Sequence, residues 1–148
     1  METDLPFLLE VRNECRGFLH DDREFTLDEC ELWYRRSKPE FWLIRYAKEP
    51  IGYFRVSNRN EAEGSAYVGA DLHCHFRGRG LAKAAYAEFL TLLRRRDNLR
   101  VARLEVLSHN LAARRLYELI GFTEIDRKEA VAVRNGTPVD SIVMEKRL

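Results

Sequence analysis

Apolar and polar positions along the chain alternate between helical and extended spacing. From Pro6 to Lys38 the pattern reads as helical. Within it, Thr26-Leu27-Asp28-Glu29 matches a capping box, in which a threonine hydroxyl and a glutamate carboxylate satisfy each other's unpaired amides. A helix from about Leu27 to Ser37 follows, and Pro39 ends it. Two aromatic-rich runs, Phe41–Ala47 and Ile51–Ser57, flank Lys48-Glu49-Pro50 and predict an antiparallel hairpin. After a turn at Asn58-Arg59-Asn60-Glu61, Ala66–His73 sets Ala66, Val68, Ala70 and Leu72 against Tyr67, Gly69, Asp71 and His73. That is a strand with one apolar and one mixed face.

Leu81, Ala85, Phe89, Leu92 and Leu93 lie at helical spacing, which predicts a helix over about Gly80–Arg96. A strand at Val101–Leu107 follows, then a helix over about Asn110–Ile120 closed by Gly121. Ala130–Val133 and Val139–Glu145 flank Asn135-Gly136, a strong hairpin-turn signal. The centre of the chain is therefore strand, helix, strand. That order makes the two strands parallel with a right-handed crossover, and ligands bind beyond their carboxyl ends. The expected fold class is α/β (α+β), a mixed, mostly antiparallel sheet around a central parallel pair, with helices on both faces. No repeat or linker-like run divides the chain, so residues 1–148 are expected to form a single domain.

The 148 residues include 25 Lys and Arg against 24 Asp and Glu, a formal net charge of +1. Such a balance gives no reason to expect binding to nucleic acid or membrane surfaces. Cys15, Cys30 and Cys74 are an odd number without a CxxC pair, which argues against a disulfide framework or zinc ribbon. The acidic start, Met1-Glu2-Thr3-Asp4, lacks the basic flank and apolar stretch of a signal peptide. No segment approaches the roughly 18 apolar residues of a membrane helix. A cytoplasmic location is the expectation. The four histidines lack metal-ligand spacing, so no metal is inferred.

At the end of the third strand stands Arg77-Gly78-Arg79-Gly80-Leu81-Ala82. Two glycines ahead of a helix let the backbone approach a ligand and aim free amides at it. The helix dipole adds about half a positive charge, making a site for phosphate. A plain strand-to-helix turn with solvated arginines accounts for the hexapeptide equally well. It is neither a Walker loop nor a complete G-x-G-x-x-G, since Lys83 takes the final position.

A second segment, Leu104 to Phe122, reads L-E-V-L-S-H-N-L-A-A-R-R-L-Y-E-L-I-G-F. With both in place, the chain resembles the GNAT superfamily of acetyl-coenzyme-A-dependent N-acetyltransferases. That family's [QR]-x-x-G-x-[GA] motif is matched by Arg77, Gly80 and Ala82. Its N-x-x-A-x-x-L-Y-x-x-x-G-F motif is matched by Asn110, Ala113, Leu116, Tyr117, Gly121 and Phe122. The resemblance is firm from about Ala66 to Phe122 and reaches the closing hairpin. Before about residue 40 it is looser, and Arg12-Asn13 looks like the branch acting on ribosomal proteins and nucleotide-linked amino sugars.

The resemblance implies that the two parallel strands splay at their carboxyl ends. The pantetheine arm of acetyl-CoA would lie there like an extra strand, bonded to the backbone of Leu72, His73 and Cys74. The pyrophosphate would rest on the amides of Arg77, Gly78, Arg79, Gly80, Leu81 and Ala82, with Asn110 holding the pantetheine from the other side.

An ammonium of pKa about 10 must lose a proton before attacking a thioester, and the leaving thiolate, about 8.5 in models, must gain one. The motif implies Tyr117 as the acid, a phenol protonated at neutral pH. Glu105, as in the Leu-Glu-Val segment of the ribosomal-protein enzymes, is the expected base. Strand parity sets it on the face with Arg103, opposite Leu104 and Val106. Asp71, His73 or a water chain are the alternatives.

The expected reaction is direct acetyl transfer to the primary amine of a small molecule, such as an amino-sugar nucleotide. A protein N-terminus is the alternative acceptor, and a non-catalytic acyl-CoA-binding module the alternative class. A peptide needs an open groove between the N-terminal helices and the last hairpin, whereas a small amine needs a closed pocket. The protein is expected to be a monomer or homodimer.

Overall fold

Helix α1 (Leu5–Glu14) opens the computed structural model, which describes residues 4–148. Met1, Glu2 and Thr3 of the acidic start lie outside the described residues. The N-terminal pattern is not one helical stretch. A single turn at Arg16–Phe18 follows α1, and residues 19–26 are loop. Side chains of α1 grip that loop. Arg12 donates to the carbonyls of Asp21 and Arg23, and Asn13 bonds both polar groups of the Phe25 backbone, at 3.0 and 3.2 Å. These local side-chain bonds replace helical ones and turn the chain back.

Helix α2 (Leu27–Ser37) begins at the capping box. Thr26 Oγ1 accepts from the Glu29 amide at 3.3 Å, and Glu29 Oε2 accepts from the Thr26 amide at 2.8 Å. It ends where Lys38 enters the left-handed region, φ 44°, ahead of Pro39.

Strands β1 (Glu40–Tyr46), β2 (Glu49–Asn60), β3 (Ser65–Leu72), β4 (Val101–Leu107), β5 (Thr123–Arg134) and β6 (Thr137–Arg147) form one sheet ordered β1-β2-β3-β4-β6-β5. Neighbours are antiparallel except β3 and β4, which helix α3 (Leu81–Asp97) connects. The mixed fold expected from the sequence is the fold observed. Two details differ. Strand β2 runs on through Asn58–Asn60, where a turn was expected, and the chain reverses at residues 61–64. Strand β5 starts at Thr123 rather than near Ala130.

Alternation along β2 divides the core between two faces. Phe54 and Val56 join Val68, Leu104 and Val106 against Tyr86, Phe89 and Leu93 of α3 and Tyr117 of α4 (Leu111–Leu119). Tyr53 turns the other way, onto Leu5, Leu8 and Val11 of α1. A one-residue slip would exchange these faces, so the register of β2 is fixed by burial.

Parallel pairing covers only Ser65, Ala66 and Tyr67 against Val101, Ala102 and Arg103. Beyond that the strands part. The His73 amide donates to the Ile51 carbonyl at 2.8 Å, so odd-numbered residues of β3 turn their backbone toward β2. Ala70 and Leu72 therefore turn theirs toward the gap. No helix among the described residues is long and apolar enough to cross a membrane.

Candidate active site

The gap between β3 and β4 widens into a cleft of about 460 Å³. Around it the structure brings together Leu72, Arg77, Gly78, Gly80, Leu81, Ala82, Glu105, Asn110 and Tyr117. His73, Cys74 and Arg79 stand outside its lining. The His73 backbone is committed to Ile51, and its ring Nε2 lies 3.3 Å from Glu10. The Cys74 amide donates to Glu14 Oε2 at 3.2 Å. Arg79 lays its guanidinium over the rings of Tyr46 and Phe76, at 5.8 and 5.6 Å.

Gly78 and Gly80 have φ of 70° and 74°, a region that a β-carbon disfavours. The space around both is open, with nothing within 4 Å of where that carbon would sit. They lead into the first turn of the 17-residue α3, whose unpaired amides and dipole make an anion site. Arg77 folds back and fixes the end of β3. Its Nε donates to the Leu72 carbonyl at 3.0 Å, and its Nη2 meets Cys15 Sγ at 3.0 Å. Asn110 caps α4, its Oδ1 accepting from the Ala113 amide at 3.3 Å.

Tyr117 is buried edge-on against Tyr86, with ring centroids 5.7 Å apart. Burial pushes its phenol up to about 12, although the Tyr86 hydroxyl beside it works in the opposite direction. The phenol is thus protonated throughout the neutral range. Tyr86 lines the same cleft, and its buried Oη has no hydrogen-bond partner among the described residues.

Glu105 reaches the cleft from β4 with its side chain 28% exposed. Lys128 Nζ donates to its Oε1 at 3.0 Å, and Ser141 Oγ donates to its Oε2 at 2.9 Å. His20 Nε2 lies 2.7 Å from the same Ser141 oxygen. Burial acts to raise this carboxyl, but the bonds from Lys128 and Ser141 and the charges of Lys128 and His20 hold it below the usual range. Its strand neighbour Arg103 is engaged elsewhere, with Glu63 at 2.6 Å and Glu145 at 2.9 Å.

A profile of the acetyltransferase (GNAT) family matches residues 5–122. The chain belongs to this family of acyltransferases. Comparison with curated proteins finds no match. Among solved structures, spermidine N-acetyltransferase from Vibrio cholerae, in complex with CoA and spermine, superposes with a TM-score of 0.89 at 22% identity. That match covers 99% of this chain and 91% of the other. Ribosomal-protein-alanine N-acetyltransferase from Brucella melitensis gives 0.81 at 22%, covering 100% and 96%. The Salmonella typhimurium protein yncA, with its cofactor acetyl-CoA, gives 0.81 at 20%, covering 100% and 90%. At these identities the likeness is one of fold.

In this GNAT domain the loop after α1 crosses to the closing hairpin. Arg134 donates to the carbonyls of Leu19 and Gly17 at 2.7 and 3.3 Å. His109 Nε2 lies 3.0 Å from the same Gly17 oxygen, and its ring stacks on Phe18 at 5.1 Å. The groove between the N-terminal helices and the last hairpin is bridged rather than open. Asp71, the alternative base, is half-buried and accepts from the Tyr53 hydroxyl at 2.8 Å; desolvation pushes it up. Away from the cleft lining, Glu14, His73 and Cys74 bring three donor atoms within 4.8 Å of one another, near enough to bracket a cation.

His20, Lys128 and Ser141 escaped the sequence reading because they converge on Glu105 from distant positions. One signal was present. Ser141 lies between Val139 and Val143 on a single strand face, a polar residue where burial was due.

Proposed function

We propose that this GNAT enzyme transfers the acetyl group of acetyl-CoA directly to the primary amine of a small molecule. The observation that carries the choice of acceptor is the bridge from Gly17, Leu19 and His20 to Arg134, which leaves no through-groove for a peptide. Three features support the fit to acetyl-CoA. These are the open cradle at Gly78 and Gly80, the unpaired strand edge at Ala70 and the Leu72 amide, and the orphaned Tyr86 hydroxyl.

In this reading the amides from Gly78 to Ala82 hold the diphosphate, and Leu72 and Asn110 hold the pantetheine. Bound there, acetyl-CoA supplies a thioester carbonyl open to an amine. Glu105 receives the ammonium proton on its free lone pairs. A carboxylate held low is a poor final store for it. Ser141 therefore turns its hydroxyl hydrogen to His20 Nε2, its oxygen takes the proton from Glu105, and the imidazole passes its own on to solvent. Tyr117 Oη holds the proton that the departing sulfur requires.

Thiol release from acetyl-CoA with a panel of small amines and peptide N-termini tests this. Small amines are expected to accelerate release and peptides to fail. If calorimetry shows no uptake of coenzyme A, the reading is wrong.

A further inference from the structure

On the far side of β2 lies a second cavity of about 420 Å³, walled by Leu8, Phe25, Trp33, Phe41 and Tyr53. Tyr53 gives its hydroxyl to Asp71, which lines the reaction cleft, so the pair forms a partition between the two spaces. Arg55 is the residue that borders both. It stands opposite Gly69 of β3, and its Nη2 is 3.7 Å from where a β-carbon of Gly69 would sit. The missing side chain lets the guanidinium lie across the strand where the gap begins.

The other charged groups around this second cavity are engaged. Arg12 donates to the Asp21 and Arg23 carbonyls, Arg23 pairs with the Asp21 carboxylate at 2.8 Å, and Glu29 is held by Thr26. Asp71 feels the Arg55 charge but accepts its hydrogen bond from Tyr53. Among the described residues the Arg55 side chain makes no hydrogen bond or ion pair. A planar cation at the mouth of an apolar cavity matches a carboxylate, which it can grip with two parallel hydrogen bonds.

We infer that the acceptor is an α-amino acid with a large apolar side chain, its carboxylate gripped by Arg55 at the junction of the two spaces. The inference rests on the small-amine reading above. In such a molecule amine, carboxylate and side chain branch from one carbon. A carboxylate at the partition leaves the amine on the cleft side, with Glu105 and Tyr117, and sends the side chain into the apolar cavity that Trp33 and Phe41 line. A polyamine offers Arg55 only like charge.

The test compares L-phenylalanine with L-phenylalaninamide, 2-phenylethylamine, glycine and spermidine as acceptors, read as thiol release from acetyl-CoA. L-Phenylalanine is expected to exceed the two analogues lacking a carboxylate by about 10- to 150-fold in kcat/KM, the range for a hydrogen bond to a charged group. Arg55→Ala is expected to remove that advantage through KM, with coenzyme A affinity retained in calorimetry. Trp33→Ala is expected to reduce the advantage over glycine. Equal or better use of 2-phenylethylamine or spermidine by the wild type, or an advantage that survives Arg55→Ala, overturns the inference while leaving the acetyltransferase reading intact. If coenzyme A binds and no amine accelerates thiol release, both fall.

Discussion

Lys128 Nζ donates to Glu105 Oε1 at 3.0 Å, tying the edge strand β5 to the carboxylate that faces the cleft. This pair is one cause of the low Glu105 pKa, so the ionised form persists above that depressed value. Lys128→Met removes the cause and raises the pKa. The acidic limb of the kcat/KM profile is then expected to move to higher pH. Lys128 is 54% exposed, and a screened pair of that kind corresponds to about half a pH unit. An unmoved or downward-moving limb would remove Glu105 from the proton path.

In the proposed reaction Tyr117 is the proton donor, and burial pushes its phenol up to about 12. Tyr117→Phe keeps the ring that packs on Tyr86 and Phe122 while deleting the donor. The expected result is a fall in kcat of about 100-fold or more, with coenzyme A affinity unchanged. A variant as fast as the wild type would show that solvent protonates the sulfur.

Gly80 precedes α3 with φ 74°. Gly80→Val meets no neighbour but must hold a β-branched residue in the left-handed region, at about 1–2 kcal/mol. The strain is relieved by re-aiming the loop amides. Calorimetry is expected to show coenzyme A binding weakened about tenfold, with the sheet intact by circular dichroism.

Asp71 is half-buried, and desolvation sets its folded-state pKa above the ordinary value of 3.8. The native state therefore keeps this proton longer than the unfolded chain, so its contribution is present at low pH and lost as pH rises from near 3.8. Asp71→Asn should melt higher than the wild type at pH 7 by a few degrees, since 1 kcal/mol is worth about 2–4 °C at this size. The difference should close below pH 4. A lower melting temperature at pH 7 would mean that the carboxylate stabilises the fold through Arg55, Arg77 and Arg12.

Local chemistry was legible in the sequence, and long-range convergence was not. Helix α2 follows from Thr26, Glu29 and Pro39 alone, and β4 from its bounded apolar run. The first half of β5 was hidden because Glu124, Asp126, Arg127 and Lys128 face solvent, and the charges of Arg127 and Lys128 are met by partners on β6 and β4. Arg127 reaches Asp140 at 3.1 Å, as Lys128 reaches Glu105. The loop from Cys15 to Phe25 looked helical because its tethers, Arg12 and Asn13, act on backbone carbonyls that carry no side-chain signature. The motif at Arg77–Ala82 located the loop, yet only the register of β2 on β3 separates Leu72 from His73 at the cleft. Arg55 could be read as polar-face residue of β2, but not as the meeting point of two cavities.

Three residue pairs are all that stitch β3 to β4, so the sheet is close to two half-sheets sharing a short seam. The backbone of Ala70 and the Leu72 amide face the gap without a strand partner. A compound that takes over those groups knits the halves together and is thereby linked to folding, by about 2.7 kcal/mol at a hundred times its dissociation constant. With acetyl-CoA as that compound, in the proposed reading, the durability of this enzyme in a cell rises and falls with the supply of its acyl carrier.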